Sequence, residues 1–240
     1  MLFEEAGQLL DSGYLPIETG YYRLPNGQMH VAVLTRMPCC SGEMVDWWFG
    51  HILDAQTYRR WHPKSHLALR WDKNKLPGHY VGTSHIIKKK LHGDVIQLRI
   101  HYHDPCEFLD MAKLEKARAG AVICANIYDF QKVPQGRVIH IIRDLDFGCE
   151  MRSRFWLFKA SEAESRALME HCIEEMGNLA DFLPDLFAGK NGPLPGSIKS
   201  LHSRRYSMKK GDFLKESSIL FPGPTFSGKG GEHFQGVRRA

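Results

Sequence analysis

The sequence predicts an α+β domain in which a curved antiparallel sheet grips one long C-terminal helix. Three observations predict it. A strand-like stretch at 28–36 (QMHVAVLTR) leads into a helical stretch opened by Ser41, with Met44, Trp47, Trp48 and Ile52 at helical spacing. After Pro63, strand candidates at 67–71, 79–87, 94–103, 120–128, 136–143 and 149–158 follow one another. They are separated by turn chemistry at Pro77-Gly78, Asp104-Pro105, Pro134-Gln135-Gly136 and Gly148. A long amphipathic helix closes the series. The order strand, helix, several strands, helix suits a sheet wrapped around that last helix, and such a wrap leaves a cavity between the two, a usual place for a ligand.

Each element carries its own signal. In VIQLRIHYH, Ile96, Leu98, Ile100 and Tyr102 share one face, while Gln97, Arg99, His101 and His103 share the other. In CEMRSRFWLF, Glu150, Arg152, Arg154, Trp156 and Phe158 form one face, expected to be a solvated or inter-element salt-bridge surface. Cys149, Met151, Ser153, Phe155 and Leu157 form the other, where Phe155 is the better pocket candidate. Ser161 followed by Glu164 fits a capping box for the last helix. Its apolar positions are Leu168, Cys172, Leu179 and Leu183, and Pro184 is expected to limit it.

Composition narrows the function classes. Apolar residues make up 43% and charged residues 25% of 240, ordinary for a globular domain. No stretch approaches the ~20 apolar residues of a membrane span, and the first residues do not read as a signal peptide. Six scattered cysteines without a CxxC argue for reduced, mostly buried thiols and a cytoplasmic setting. The net charge of +5 lies in the tail: residues 188–240 hold 10 Lys+Arg against 3 Asp+Glu, and the body is slightly acidic. A nucleic-acid-binding face on the folded part is therefore not indicated. Nine of the 22 glycines lie beyond residue 187, so 189–240 reads as a basic, Gly/Pro-rich, disordered tail after a domain of residues 1–188. No Gly-rich phosphate loop, GxSxG elbow or HExxH is present.

The chemistry-bearing residues gather in a few places. At ~100° per residue, Glu175 falls within roughly 60° of the apolar stripe, with His171 one turn earlier at its edge. A core-facing carboxylate is costly unless it is paired or binds a metal. His at i and Glu at i+4 can hold one ion, or can simply hydrogen-bond, and Arg152 or Arg154 could satisfy the carboxylate instead. Tyr58-Arg-Arg-Trp-His62-Pro-Lys-Ser-His66 places two histidines four apart beside aromatics, either at a pocket mouth or on the surface at a helix end. His140, between Val138 and Ile142 on one strand face, is a further pocket candidate.

Four stretches, VDWWFGHILDAQTYRRWHPKSH, YVGTSHII, HIIRDLDFGCEMRSRFWL and LMEHCIEEMGNLADFLPDLF, closely resemble the 2,4-diacetylphloroglucinol hydrolase family, which is related in reaction to phloretin hydrolases. The resemblance runs from about residue 10 to 188. It implies a helix-grip fold like that of the Bet v 1 allergens and a zinc ion held by two histidines and two glutamates. His66, His171 and Glu175 match three of those ligands. Tyr58 matches a substrate-contacting tyrosine, His140 a pocket histidine, and Phe155 falls where the family has a tyrosine. The expected catalytic groups are thus His140 and Tyr58, and the expected substrate contacts are Tyr58, His140, Phe155 and Trp47. Where the family has its remaining glutamate, this chain reads Lys88-Lys89-Lys90, with Lys89 in register. A lysine ammonium cannot ligate zinc; three ligands plus water would still resemble many catalytic zinc sites, and Glu107 and Asp94 are the candidates to substitute. The implied reaction is hydrolysis of the bond between an acyl group and a phloroglucinol-type ring, on a small phenolic ketone and away from membranes. A homodimer is compatible with the sequence. The alternative is a helix-grip protein that binds an apolar or phenolic ligand without turnover.

Overall fold

The computed structural model describes residues 1–72, 75–76 and 78–189. The expected tail, apart from Gly189, lies outside the described residues. The chain begins with a 3-10 helix (Phe3–Leu10) and then runs β1 (Gly20–Arg23), β2 (Met29–Pro38), α1 (Gly42–His51), α2 (Ala55–Trp61), β3 (His66–Trp71), β4 (Ser84–Leu91) and β5 (Asp94–His103). It continues through α3 (Met111–Ala117), β6 (Ala121–Asp129), β7 (Pro134–Leu145) and β8 (Gly148–Leu157) to α4 (Glu162–Phe187). The strands form one antiparallel sheet in the order β1-β2-β8-β7-β6-β5-β4-β3. The expected helix-grip architecture is therefore the observed one.

Local chemistry explains the elements. Ser41 accepts from the Met44 N–H and caps α1, Asp54 accepts from Thr57 N–H and caps α2, and Ser161 with Glu164 forms the capping box of α4. The β4–β5 hairpin needs two central residues with positive φ, and His92 (52°) and Gly93 (87°) supply them. Gly42 is required by close approach, because a Cβ there would lie 2.2 Å from the Gly120 carbonyl carbon at the start of β6.

The two faces of the sheet bury different things. On the inner face, Cys172, Met176, Leu179 and Leu183 of α4 pack with Val31, Val33 and Met37 of β2 and with Trp48 and Phe49 of α1. The outer face is covered by the N-terminal 3-10 helix and α3: Leu9, Leu10 and Leu114 lie against Val122, Cys124, Ile139 and Trp156. Arg152 and Arg154 also lie on this outer face, fully buried and paired with Glu18, so the inter-element reading of that charged face holds and the solvated one fails. It also removes them as partners for Glu175, since alternation along β8 sends them to the other side of the sheet from α4.

Other differences have physical causes. Pro184 does not limit α4, which continues to Phe187. Its missing N–H frees the Ala180 carbonyl, and the Cys40 thiol approaches that oxygen at 3.7 Å. The strand expected at 79–87 begins at Ser84, because Thr83 N–H bonds back to Tyr80 O and Gly82 takes φ 76°, which makes a turn of residues 80–83. Short elements escaped notice: β1, α2 and α3 are four to seven residues long, too short to show a period. The cysteines are free, with Cys40, Cys124, Cys149 and Cys172 buried and Cys39 and Cys106 exposed. Among the described residues no helix is long and apolar enough to cross a membrane.

Candidate metal centre and pocket

Three elements meet at the candidate site. The segment after α2 delivers His62 and, at the start of β3, His66; α4 delivers His171 and Glu175 one turn apart. One ligand atom from each of His66, His171 and Glu175 lies within 4.8 Å of the others. His66 Nε2 stands 3.1 Å from Glu175 Oε1, and His171 Nε2 stands 3.7 Å from Oε2.

The orientation of His66 is fixed from behind. Its Nδ1 lies 2.9 Å from the Tyr58 carbonyl oxygen, which can only accept, so Nδ1 carries a proton. Its ring also stacks on Tyr58, with centroids 3.7 Å apart. Such a backbone bond fixes the tautomer and aims the free nitrogen, as outer partners of metal-binding histidines do. Nε2 of His66 and Nε2 of His171 are both buried and without a hydrogen-bond partner. With the proton on Nδ1, His66 Nε2 carries a lone pair towards the carboxylate oxygen 3.1 Å away, so two acceptors face each other with no donor between them.

The electrostatics agree with a carboxylate held ionised. Burial alone would raise the Glu175 carboxyl, but His66, His171 and Lys89 around it hold it well below its ordinary value. Burial, then the Lys89 charge, lowers His171 to about 3. Two imidazoles and one carboxylate, with an orphaned nitrogen on each imidazole beside it, is a donor set that fits a borderline divalent ion. His62 flanks the set: it stacks on His171 at 4.5 Å and reaches Glu174 at 3.3 Å, which is 58% exposed.

The pocket beside this centre is lined from the sheet. On β4, Lys88 and Lys90 point outward while Lys89 points in, 7% exposed and opposite His66 in the β3–β4 register. His85, four residues earlier on the same face, sits 3.2 Å from the Tyr102 hydroxyl of β5. His140 of β7 shares a 2.8 Å hydrogen bond between its Nδ1 and Ser153 Oγ of β8, and its ring lies 5.9 Å from both Phe155 and Phe49. Burial pushes His140 down to about 4 and His85 to about 3, so both are neutral near pH 7. Burial, then Glu175, raises the Tyr58 phenol well above its ordinary value, and its hydroxyl has no hydrogen-bond partner.

Comparison with known proteins decides the family. Residues 1–166 match the family described as the DAPG hydrolase PhiG domain. The chain belongs to this DAPG hydrolase family. It is 21% identical over 226 residues to a 2,4-diacetylphloroglucinol hydrolase of Pseudomonas sp, covering 77% of this chain and 75% of that one. It is 25% identical over 221 residues to the phloretin hydrolase of Eubacterium ramulus, covering 78% and 77%. Among solved structures, that of Ara h 8.0201 aligns with 65% of this chain and 98% of its own, at 6% identity and a TM-score of 0.45.

Within this DAPG hydrolase family member, the structure brings together His66, His171, Glu175 and Tyr58, and places His140 against Phe155 in the same inner core. Trp47 is not brought in. It stacks on His51 and meets Phe187 at the last turn of α4, about 24 Å along that helix from His171 at 1.5 Å per residue. Phe49, two residues on, takes the inward place among Trp61, Tyr80, Tyr102 and His140. Neither Glu107 nor Asp94 supplies a fourth ligand. Glu107 bonds His103 on the outer side of β5, and Asp94 is exposed in the hairpin. His85 and Tyr102 were missed as site residues. The signal was alternation: Tyr102 shares the inward phase of Ile100, and His85 that of Lys89.

Proposed function

We propose that this chain is a hydrolase that cleaves the carbon–carbon bond between an acyl group and a phloroglucinol-type phenolic ring. His66, His171 and Glu175 would hold a zinc ion. The chemistry such an ion supplies when bound is an acidified water and a polarised carbonyl. The observation that carries the reading is the pair of orphaned imidazole nitrogens converging on an ionised carboxylate that is only 13% exposed, in a member of this family.

An aryl anion is a poor leaving group, so the ring must first be made a better one. A phloroglucinol ring does this by tautomerising: its acyl-bearing carbon takes up a proton and becomes the α-carbon of a β-diketone. Water attack on the acyl carbonyl then expels an enolate. This chain's residues serve those steps. His140 is neutral near pH 7 and held at Nδ1 by Ser153, which leaves Nε2 for a proton or a ring hydroxyl. Tyr58 presents an unpaired buried hydroxyl to the same space. Phe155, Phe49 and Trp61 supply apolar walls that exclude bulk water.

The test is acid release from 2,4-diacetylphloroglucinol and from phloretin by zinc-replete protein. The expected result is turnover that His171→Ala removes. Full activity in His171→Ala, or no acid from either ketone, would overturn the reading.

A further inference from the structure

Lys89 is a buried lysine with no assigned work; burial pushes its ammonium below the ordinary lysine value, and the Glu175 carboxylate opposes that shift. The lysine is 7% exposed, it lies beside His66 in the sheet register, and its side chain enters the space that Glu175, His171, His85 and Cys172 border. Among the described residues its ammonium has no carboxylate within 4.0 Å and no hydrogen-bond acceptor. The nearby anion is Glu175, whose oxygens already face His66 and His171. A divalent ion between those three residues would add charge of the same sign as the ammonium. The polar inventory is unbalanced in the same direction, because the Tyr58 hydroxyl is also buried without a partner. With an ion on His66, His171 and Glu175, the Lys89 ammonium and the Tyr58 O–H would remain as donors without an acceptor. Buried polar groups in folded proteins are otherwise almost always satisfied. A cluster of them around one space is where a ligand can satisfy them.

We propose that the Lys89 ammonium is the binding position for an anionic oxygen of the substrate, so that this chain prefers phenolic ligands carrying a phenolate or ring carboxylate at that place over neutral ones. The inference rests on the hydrolase reading only for the word substrate; anion recognition stands on the side chains themselves. The family members named above act on phenols, whose ring oxygens ionise readily beside a carbonyl. A fixed cation selects the ionised form and orients the ring by it.

The experiment measures binding without turnover, on the protein as purified. In one arm, calorimetry compares 2,4,6-trihydroxybenzoate with phloroglucinol, which differ by the carboxylate. In the other, 4-nitrophenol is titrated with pH in the presence of protein, since its phenolate is visible by absorbance. The expected result is a preference of about tenfold or more for the anionic member of at least one arm, which drops below about twofold in both Lys89→Met and Lys89→Gln. The two substitutions remove a buried charge while keeping much of the stem, and metal content and circular dichroism are recorded for each. A Lys89-dependent preference in the first arm names a carboxylate as the ligand group, and in the second a phenolate. No preference in either arm, or a preference that survives both substitutions or tracks metal content instead, overturns the proposal. Anion preference without acid release would sink the hydrolase reading and leave this one standing, and acid release without anion preference would do the reverse.

Discussion

The two faces of one sheet bury charge in opposite ways. On the outer face, Arg152 and Arg154 converge on Glu18, Arg152 also donates to the Leu9 carbonyl, and Arg143 donates to the carbonyls of Leu9, Asp11 and Gly13 and stands 3.8 Å from Glu150. All three guanidinium nitrogens of Arg152 have partners, and Arg154 Nε has none. On the inner face, Nε2 of His66, Nε2 of His171 and the Tyr58 hydroxyl are buried without a hydrogen-bond partner among the described residues, and Lys89 lies opposite His66 in the sheet register. Saturated charge fastens the N-terminal segment to the sheet. Unsaturated charge marks where something else belongs. The contrast sets a structural cluster apart from the proposed metal and ligand site in a single protein.

Substitutions should split the two regions cleanly. Glu175→Gln is expected to lower acid release by more than about 10³-fold and to abolish metal uptake, with the urea midpoint nearly unchanged. Glu18→Ala is expected to do the opposite. It leaves two buried arginines unpaired, costing about 3–5 kcal/mol in urea unfolding, while activity per folded molecule stays within about twofold. If Glu18→Ala instead silenced the enzyme without loss of stability, the division between the faces would be wrong. His140→Ala is expected to lower kcat by about 10²-fold with little change in KM, measured by steady-state acid release.

Acid should expose both faces together. His30 on the outer face and His85 and His140 on the inner face are buried neutral, with burial pushing them to about 3, 3 and 4. The unfolded chain binds their protons from about pH 6.5 downward, before the folded one does. Stability is therefore full above about 6.5 and is lost as pH falls towards about 4, by about 1.4 kcal/mol per pH unit for each histidine. His30→Gln should flatten that slope in urea titrations without touching activity. The smallest effect is expected at Trp47→Ala, where activity per folded molecule should stay within about twofold because the ring packs on His51 and Phe187.

Much of this was legible in the sequence, for reasons that particular residues make plain. The ends of β5, β6, β7 and β8 fall within two residues of where alternation and turn chemistry put them, and Ser161 and Glu164 announce the start of α4. Glu175 was visible because a carboxylate inside an apolar stripe is an anomaly. Spacing offered His66 with His62 at a pocket mouth, but not its partners, which lie about 105 residues away and are brought near only by the fold; the family resemblance made that link. The outer role of Arg152 and Arg154 was half legible. Alternation separated them from Phe155, but nothing in the sequence said that Glu18 would fold over them. Trp47 and Phe49 show the limit of a short helix, where an apolar run gives several inward candidates and the packing against α4 chooses among them.

Direct titration of zinc into chelator-stripped protein, wild type beside Glu175→Gln, tests the inner cluster without any assumption about substrate. The structure leads us to expect one tight equivalent per wild-type chain and none for Glu175→Gln. Equal uptake by the two proteins, or no tight uptake by either, would contradict the assignment of His66, His171 and Glu175 as a metal centre.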